Sequence, residues 1–138
     1  MSALTNDQIE DLITQCLEAR NFSYSPYSKF RVGAALRTVD GKIYQGCNVE
    51  NASYGGAICA ERTAFVKAVS EGHRRFVAIG LSCDYNQYIT PCGICRQFMN
   101  EFGKNLEVFF VNDDRTYKRA VLADLLPLSF GPEILPPK

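Results

Sequence analysis

The chain has 138 residues, of which 46% are hydrophobic and 22% charged, and 15 Lys and Arg residues balance 15 Asp and Glu residues. This length fits one domain spanning residues 1–138, and the balanced charge argues against a long surface for nucleic-acid phosphates. No apolar run could cross a bilayer, and the first residues lack the basic start of a signal peptide. We therefore expect a cytoplasmic protein with no membrane and no nucleic-acid partner.

Apolar periodicity, caps and turns predict alternating helices and strands. Thr5 and Gln8 form a capping-box pattern at the start of the first helix. Asp40-Gly41 is typical of a tight turn between antiparallel strands. The predicted elements are a helix from about residue 5, strands over 30–36 and 43–47, a helix over 59–71, a strand over 76–83, a helix between Pro91 and Gly103, a strand over 108–111, a short strand near Tyr117 and a helix over 121–126.

Strands that alternate with helices from residue 43 onward imply right-handed parallel crossovers. We therefore predict an α/β fold, a single three-layer domain with a mixed, mostly parallel five-stranded sheet flanked by helices. If the strands are added in one direction, the second and third helices share one face of the sheet. Their N-termini then meet at the carboxyl ends of the strands, where open sheets place their sites.

Three cysteines at these two helix starts form a candidate metal site. Cys92 and Cys95 are three residues apart and would project from the same side of a helix, and Cys59 begins the neighbouring helix. Three thiolates give a tetrahedral zinc site with one open position, and helix N-termini favour their ionisation.

A C-x-x-C pair alone is a weak signal, and two other interpretations stay open. The pair also occurs in thioredoxin-type redox proteins and in structural zinc sites with four protein ligands. The redox interpretation leaves Cys59 and Glu61 unexplained. A structural site needs a fourth ligand, for which the candidates are Cys16, Cys47, Cys83 and His73, although each is more typical of a core thiol or a surface imidazole.

Glu61 is the candidate proton carrier. Two positions apart on a regular helix, Cys59 and Glu61 would point to different faces, so both can approach one metal only if Cys59 lies at the helix edge. A first-turn glutamate favoured by the helix dipole is the structural alternative. Its combination with Pro91, Cys92 and Cys95 favours catalysis.

Six collinear segments resemble the cytidine deaminase family, specifically its small homotetrameric members with three zinc-binding cysteines. They are YSPYS at 24–28, FRVGAA at 30–35, CNVENA at 47–52, CAER at 59–62, PCGICRQ at 91–97 and LPLSFGP at 126–132. The resemblance covers residues 24–132 and implies the cytidine deaminase-like fold.

The resemblance implies hydrolytic deamination of cytidine, and of deoxycytidine, to uridine or deoxyuridine plus ammonia in pyrimidine salvage. One Zn²⁺ per subunit, bound by Cys59, Cys92 and Cys95, would supply the hydroxide that attacks C4 of the base. Glu61 would act as the proton shuttle.

The resemblance also assigns a nucleoside pocket and subunit contacts. Asn48 and Glu50 match residues that hold the ribose hydroxyls, Phe30 would lie against the base, and the backbone around Ala60 would help to read the pyrimidine. The chain would form a homotetramer with shared active sites. The residues that would reach into a neighbouring subunit's site are Ala52, Tyr54 and Phe130.

Three thiolates carry more charge than zinc and should weaken its acidity. Two helix ends offset part of this charge. Arg62 is the candidate for the rest, through charge-assisted hydrogen bonds to ligand sulfurs. An exposed helix arginine is the alternative for this residue.

Two other functions remain as alternatives. A deaminase of cytosine in polynucleotides would perform the same chemistry, but the balanced charge and the Glu50 carboxylate, which would repel a nearby phosphate, disfavour it. A non-enzymatic, structural zinc module would have four protein ligands and no open position.

Overall fold

The helices and strands follow the predicted order along the chain. The computed structural model describes residues 2–136, and Met1, Pro137 and Lys138 of the predicted domain lie outside the described residues. The elements within 2–136 are α1 (Asn6–Ala19), β1 (Val32–Thr38), β2 (Ile43–Cys47), α2 (Ala60–Ser70), β3 (Phe76–Cys83), α3 (Gly93–Asn100), β4 (Glu107–Val111), β5 (Tyr117–Val121) and α4 (Leu122–Leu125), with 3-10 turns at Arg20–Phe22, Tyr54–Gly56 and Pro132–Ile134.

The strands form one mixed sheet in the order β2-β1-β3-β4-β5. β2, β3 and β4 run in one direction, as the helical crossovers predict, and β1 and β5 run against them. The five-stranded mixed sheet is confirmed, but mostly parallel pairing is wrong, because β3–β4 is the one adjacent parallel pair in this sheet. The reason is that β1 pairs with both β2 and β3 and so separates these two parallel strands.

Helices cover both faces of the sheet and make three layers. α1 packs on one face, over a core that includes Leu12 and Phe109. α2 and α3 pack on the other face, over a core that includes Phe65 and Met99. The prediction that the second and third helices share one face is therefore confirmed. No helix among residues 2–136 has the length and apolar character needed to cross a membrane.

The predicted capping box starts α1. The Gln8 backbone N–H donates to Thr5 Oγ1 at 3.2 Å, and the Thr5 N–H donates to Gln8 Oε1 at 2.9 Å. Two of the free N–H groups at this helix end are thereby satisfied. The helix can then bury its apolar stripe against the sheet.

The first strand begins at Val32, two residues later than predicted, because the side chain of Asn48 takes the place of strand-to-strand backbone hydrogen bonds at its start. Asn48 Nδ2 donates to the Phe30 carbonyl at 2.8 Å, and the Val32 N–H donates to Asn48 Oδ1 at 3.0 Å. Lys29 has a φ of 58°, which breaks the extended backbone just before this point. The side chain of Asn48 therefore fixes the segment that carries Phe30.

A close contact between backbones places the start of α2 against the hairpin. A Cβ atom at Gly46 in β2 would lie 2.4 Å from the Ala60 carbonyl oxygen and 2.5 Å from the Ala64 nitrogen. Only a glycine lets the helix lie so near the strand. Because Ala60 is the first residue of α2, this contact also fixes the position of Cys59.

Candidate active site

The three cysteines of the candidate metal site lie at the ends of two neighbouring helices. Cys59 is the N-cap of α2 and Cys92 is the N-cap of α3, both with extended backbone, while Cys95 lies in the first turn of α3. Neither N-cap side chain accepts a hydrogen bond from the backbone N–H groups of its own helix, so no capping side chain offsets the partial positive charge of either end. The position of Cys59 before α2 meets the condition under which Cys59 and Glu61 can approach one metal.

The sulfur atoms converge closely enough to bind one metal ion. The Sγ atoms of Cys59, Cys92 and Cys95 all lie within 4.8 Å of one another, and those of Cys59 and Cys92 are 3.9 Å apart. In a tetrahedral site with Zn–S bonds of about 2.3 Å the sulfurs are about 3.8 Å apart, so the cluster fits zinc. Within residues 2–136 no further potential ligand joins this group, which leaves out Cys16, Cys47, Cys83 and His73.

Arg62 supplies positive charge beside the thiols. Its Nη2 atom donates to Cys59 Sγ at 3.7 Å, the kind of contact that the sequence predicts for this arginine. Hydrogen bonds from Cys95 and Arg62 lower the pKa of the Cys59 thiol to about 5. The same pairing with Cys59, together with burial, raises the pKa of Cys95. Among the described residues no acceptor meets the buried Nε of Arg62, so this arginine stays available to compensate the charge of the sulfurs.

Glu61 lies beside the thiols with only 5% of its surface exposed. Burial raises the pKa of its carboxyl to about 6, and the negative charge of Cys59 adds to the rise. A carboxyl with a pKa near neutral pH can both accept and release a proton. A glutamate that served only the helix dipole would have no need of burial, so the environment favours the catalytic interpretation.

A cavity of about 370 Å³ opens beside Cys59 and Arg62. Asn48 and Glu50 also line it, so both residues predicted to hold the ribose border the same cavity as a metal ligand. Its volume lies within the range of about 300–1,000 Å³ that is usual for small-molecule sites. Its other lining residues are Tyr54, Gly55, Ala57, Ile58 and Ile94.

The Glu50 carboxylate is held in place by the loop before β1. Its Oε1 atom accepts hydrogen bonds from the backbone N–H groups of Tyr27 at 3.0 Å and Ser28 at 3.1 Å, and its Oε2 atom accepts one from Ser28 Oγ. The Ser28 hydroxyl is the main cause of a lowered pKa for Glu50. Glu50 is therefore a fixed, ionised acceptor at the cavity wall.

Neither Phe30 nor Ala60 is among the residues that line this cavity. The Phe30 ring is half-buried and packs against the ring of Tyr85, with centroids 5.1 Å apart. Ala60 is fully buried as the first residue of α2, next to Cys59. The contact of Phe30 with a base and the role of the Ala60 backbone stay predictions.

The residues predicted to reach a neighbouring subunit lie at the surface of this chain. Ala52 is exposed, and the side chains of Tyr54 and Phe130 are 76% and 55% exposed. The Phe130 carbonyl, in contrast, is fixed, because it accepts hydrogen bonds from Gln97 Nε2 at 2.9 Å and Asn100 Nδ2 at 3.1 Å. The helix that carries two candidate ligands thus also holds the backbone that presents Phe130.

The sequence did not identify the groups that hold these side chains. Ser28 fixes Glu50, and Gln97 and Asn100 fix Phe130, but none of the three was assigned a role. Ser28 and Gln97 fall within segments that carry the resemblance, and this is the one signal that pointed to them. Asn100 gave no signal, because its partner lies 30 residues away in the chain.

The starts of α2 and α3 bring three thiols together beside the buried carboxyl of Glu61, and a cavity of small-molecule size opens next to Cys59. This arrangement defines a metal-dependent enzyme site. Residues 6–111 match the family model described as the cytidine and deoxycytidylate deaminase zinc-binding region. This match includes Cys59, Cys92 and Cys95.

Proteins that are named cytidine deaminase resemble this chain over nearly its full length. A probable cytidine deaminase from Dictyostelium discoideum is 47% identical over 133 residues, covering 96% of this chain and 90% of that protein. The cytidine deaminase of Sporosarcina psychrophila is 46% identical over 128 residues, covering 92% of this chain and 94% of that protein.

A solved structure gives the same result for the fold. The crystal structure of cytidine deaminase from Burkholderia pseudomallei matches with a TM-score of 0.85 and 46% identity, covering 92% of this chain and 100% of that one. The chain therefore belongs to the cytidine deaminase family of enzymes, and zinc is the metal of its three-cysteine site. The resemblance predicted from the sequence is confirmed.

Proposed function

We propose that the protein hydrolyses cytidine and deoxycytidine to uridine and deoxyuridine with release of ammonia. The observation that carries this proposal is the buried carboxyl of Glu61 beside three converging thiols, one of which, that of Cys59, belongs to a residue that lines a cavity of about 370 Å³. Three protein ligands leave one tetrahedral position for water or substrate.

Cys59, Cys92 and Cys95 would hold the zinc ion, which would act as a Lewis acid and lower the pKa of a water molecule, so that hydroxide for attack on C4 of the base is available near neutral pH. Glu61 takes a proton from this water and delivers it to N3 of the pyrimidine. It then takes the remaining proton from the hydroxyl group now bound to C4 and transfers it to the exocyclic nitrogen, so that the C4–N bond breaks, ammonia leaves and the C4 carbonyl of uridine forms. The raised pKa of Glu61 supports this role, because the group must be a base in one step and an acid in the next.

Arg62 supports the metal in this scheme. Its hydrogen bond to Cys59 Sγ withdraws charge from a ligand that would otherwise weaken the acidity of zinc. The uncapped ends of α2 and α3 act in the same direction on Cys59 and Cys92.

Glu50 and Asn48 favour a free nucleoside as the substrate. Glu50 lies at the cavity wall as a fixed carboxylate and can accept hydrogen bonds from ribose hydroxyls. The same charge would repel the phosphate of a nucleotide or a polynucleotide. Asn48 uses most of its amide to hold β1, so we assign it both a structural and a ribose-binding role.

The assembly that we propose is a homotetramer with shared active sites. The exposed aromatic side chains of Tyr54, which lines the cavity, and of Phe130 support a second copy as their partner. We further propose a cytoplasmic location and a role in pyrimidine salvage, both of which follow from the resemblance. The molar mass in solution, measured by light scattering, tests the tetramer.

The decisive experiment replaces Glu61 by Gln and measures deamination and zinc content on the same sample. The fall in absorbance that accompanies conversion of cytidine to uridine reports the rate, and deoxycytidine, CMP and a cytosine oligonucleotide are compared with cytidine. Loss of one general acid–base group lowers a rate by roughly 10²- to 10⁴-fold, so we expect at least this fall in kcat for Glu61→Gln with zinc retained.

Glu71→Gln is the matched control, because Glu71 lies exposed at the opposite end of α2. It should keep the rate of the unaltered protein. Activity of Glu61→Gln equal to that of the control would contradict the mechanism. A preference for the oligonucleotide over cytidine would instead favour a polynucleotide deaminase.

A further inference from the structure

The two N-cap cysteines reach the metal site along very different backbones. Cys59 follows Ile58, whose N–H and carbonyl both pair with Val49 at 2.9 Å in an antiparallel bridge. Cys92 follows residues 85–91, which lack regular structure and make no backbone-to-backbone hydrogen bond with the rest of the described chain. The backbone of residues 85–91 therefore does not anchor Cys92 in the way that the bridge to Val49 anchors Cys59.

Pro91 is buried, but its backbone offers few groups that could orient the peptide before Cys92. Pro91 has no N–H, so the backbone bridge that anchors Ile58 is chemically impossible there. Only its carbonyl can accept a hydrogen bond, and this carbonyl belongs to the peptide group that leads into Cys92. Cys92 is also the exposed member of the cluster, so packing does little to fix its side chain.

Arg96 holds this carbonyl. Its Nε atom donates to the Pro91 oxygen at 2.8 Å, and its Nη1 atom donates to the Leu125 oxygen at 2.8 Å. Leu125 is the last residue of α4, where helix carbonyls have no partner within the helix. One half-buried, planar guanidinium thus connects the peptide before Cys92 to the end of another helix.

We propose that Arg96 is a positioning residue that fixes Cys92 for the metal before the metal binds. The guanidinium restricts the peptide plane that precedes Cys92, so this ligand loses little conformational freedom when zinc arrives. Arg96 acts through the backbone, whereas Arg62 donates directly to a ligand sulfur. The two arginines therefore support different ligands by different means.

This inference rests on the three-cysteine zinc site of the proposed function, and its test needs no substrate. Groups that orient metal ligands usually change metal affinity by about 10- to 100-fold when they are removed. We expect Arg96→Gln to release zinc at least about tenfold faster than the unaltered protein. Arg96→Lys keeps the charge but lacks the planar fork that donates to both carbonyls from fixed positions, so its release rate should be intermediate.

The measurement is zinc release from the loaded protein to an excess of chromophoric chelator, well below the unfolding temperature. Cobalt-substituted protein gives a second readout, since the thiolate-to-cobalt charge-transfer band responds to ligand placement and would not shift for a residue that only supports the fold. We expect this band to shift in Arg96→Gln and to be partly restored in Arg96→Lys. If Arg96→Gln does not fold, the lysine variant decides by the same two readouts.

Arg74→Gln is the matched control. Arg74 Nη1 donates to the carbonyls of Val69 at 2.7 Å and His73 at 3.2 Å, so it also binds backbone at a helix end, but at the end of α2 away from Cys59. It should release zinc at the unaltered rate. Unaltered release and an unshifted cobalt band in both Arg96 variants would overturn the proposal. Zinc retained by Cys92→Ala would instead show that the assumed metal site is wrong.

Discussion

Cys16 and Cys95 are both fully buried, yet they lie on opposite faces of the sheet and have different chemical surroundings. Cys16 lies inside α1, its thiol donates to the Ile13 carbonyl at 3.3 Å, and burial raises its pKa to about 12. Cys95 lies in the first turn of α3, within reach of two further thiols. The difference shows that burial alone keeps a thiol protonated and inert, whereas a helix end with converging sulfurs makes a metal ligand.

The two helical layers also differ in how completely they are covered. α1 presents no large exposed apolar side chain within Asn6–Ala19, although Phe22 in the 3-10 turn that follows it is exposed. On the other side Val66, Ile94, Leu128 and Phe130 are exposed. The face that carries the chemistry is thus the face that needs further partners, namely a metal ion and, as we propose, other subunits.

The largest expected effect is the difference in zinc binding between variants that lack Cys95 and variants that lack Cys16. Cys95→Ala removes one of three ligands, so we expect loss of bound zinc and of measurable deamination. Cys16→Ala removes a core thiol and should cost roughly 1–2 kcal/mol of stability, because it leaves a small cavity. Zinc content by atomic absorption and thermal unfolding of both variants check these outcomes.

The comparison fails if Cys16→Ala loses zinc or if Cys95→Ala keeps it. The first result would mean that the α1 face supports the metal site directly. The second would mean that Cys95 is not a zinc ligand and that the assumed metal site is wrong.

Local chemistry made most elements predictable from the sequence. The capping box at Thr5 and the Asp40-Gly41 turn each involve residues a few positions apart, so their patterns specify α1 and the hairpin directly. The position of β1 between β2 and β3 could not be read in this way. It depends on pairing β1 with a strand about 45 residues later, a choice that alternation of helices and strands does not specify.

The candidate site was predictable where its residues share one helix end. Cys59, Glu61 and Arg62 fall within four consecutive residues, and the structure gathers them beside Cys92 and Cys95. The supporting contacts were not predictable, since each joins a side chain to a distant carbonyl or amide. Arg96 is the clearest case, because its acceptor at Leu125 becomes a neighbour only after α3 and α4 pack.

The second-largest expected effect comes from removing the exposed ring of Phe130, which tests whether another subunit covers this side of the sheet. If this ring is buried by another subunit, Phe130→Ala should weaken association by about 10- to 100-fold, the equivalent of burying one aromatic side chain. Sedimentation equilibrium over a range of concentrations measures the change. If the proposed tetramer forms, we also expect KM for cytidine to rise as it dissociates.

Val39→Ala is the control for this experiment, since Val39 is similarly exposed at 60% but lies in the turn at the far end of β1. The Val39→Ala variant should associate as strongly as the unaltered protein. Equal association of Phe130→Ala and Val39→Ala would show that the exposed ring has no partner subunit.

The smallest expected effect comes from removing the positive charge of Arg62, which lies beside the thiols of the metal site. Arg62 donates to Cys59 Sγ at 3.7 Å, whereas Arg20, at the end of α1, donates to the Cys83 carbonyl at 2.6 Å on the other side of the sheet. Arg62→Gln should lose zinc about tenfold faster and turn over more slowly, because the thiolate charge is no longer balanced. Arg20→Gln should lower the unfolding temperature with zinc release unaltered. Full zinc content and an unaltered rate in Arg62→Gln would mean that helix ends alone compensate three thiolates.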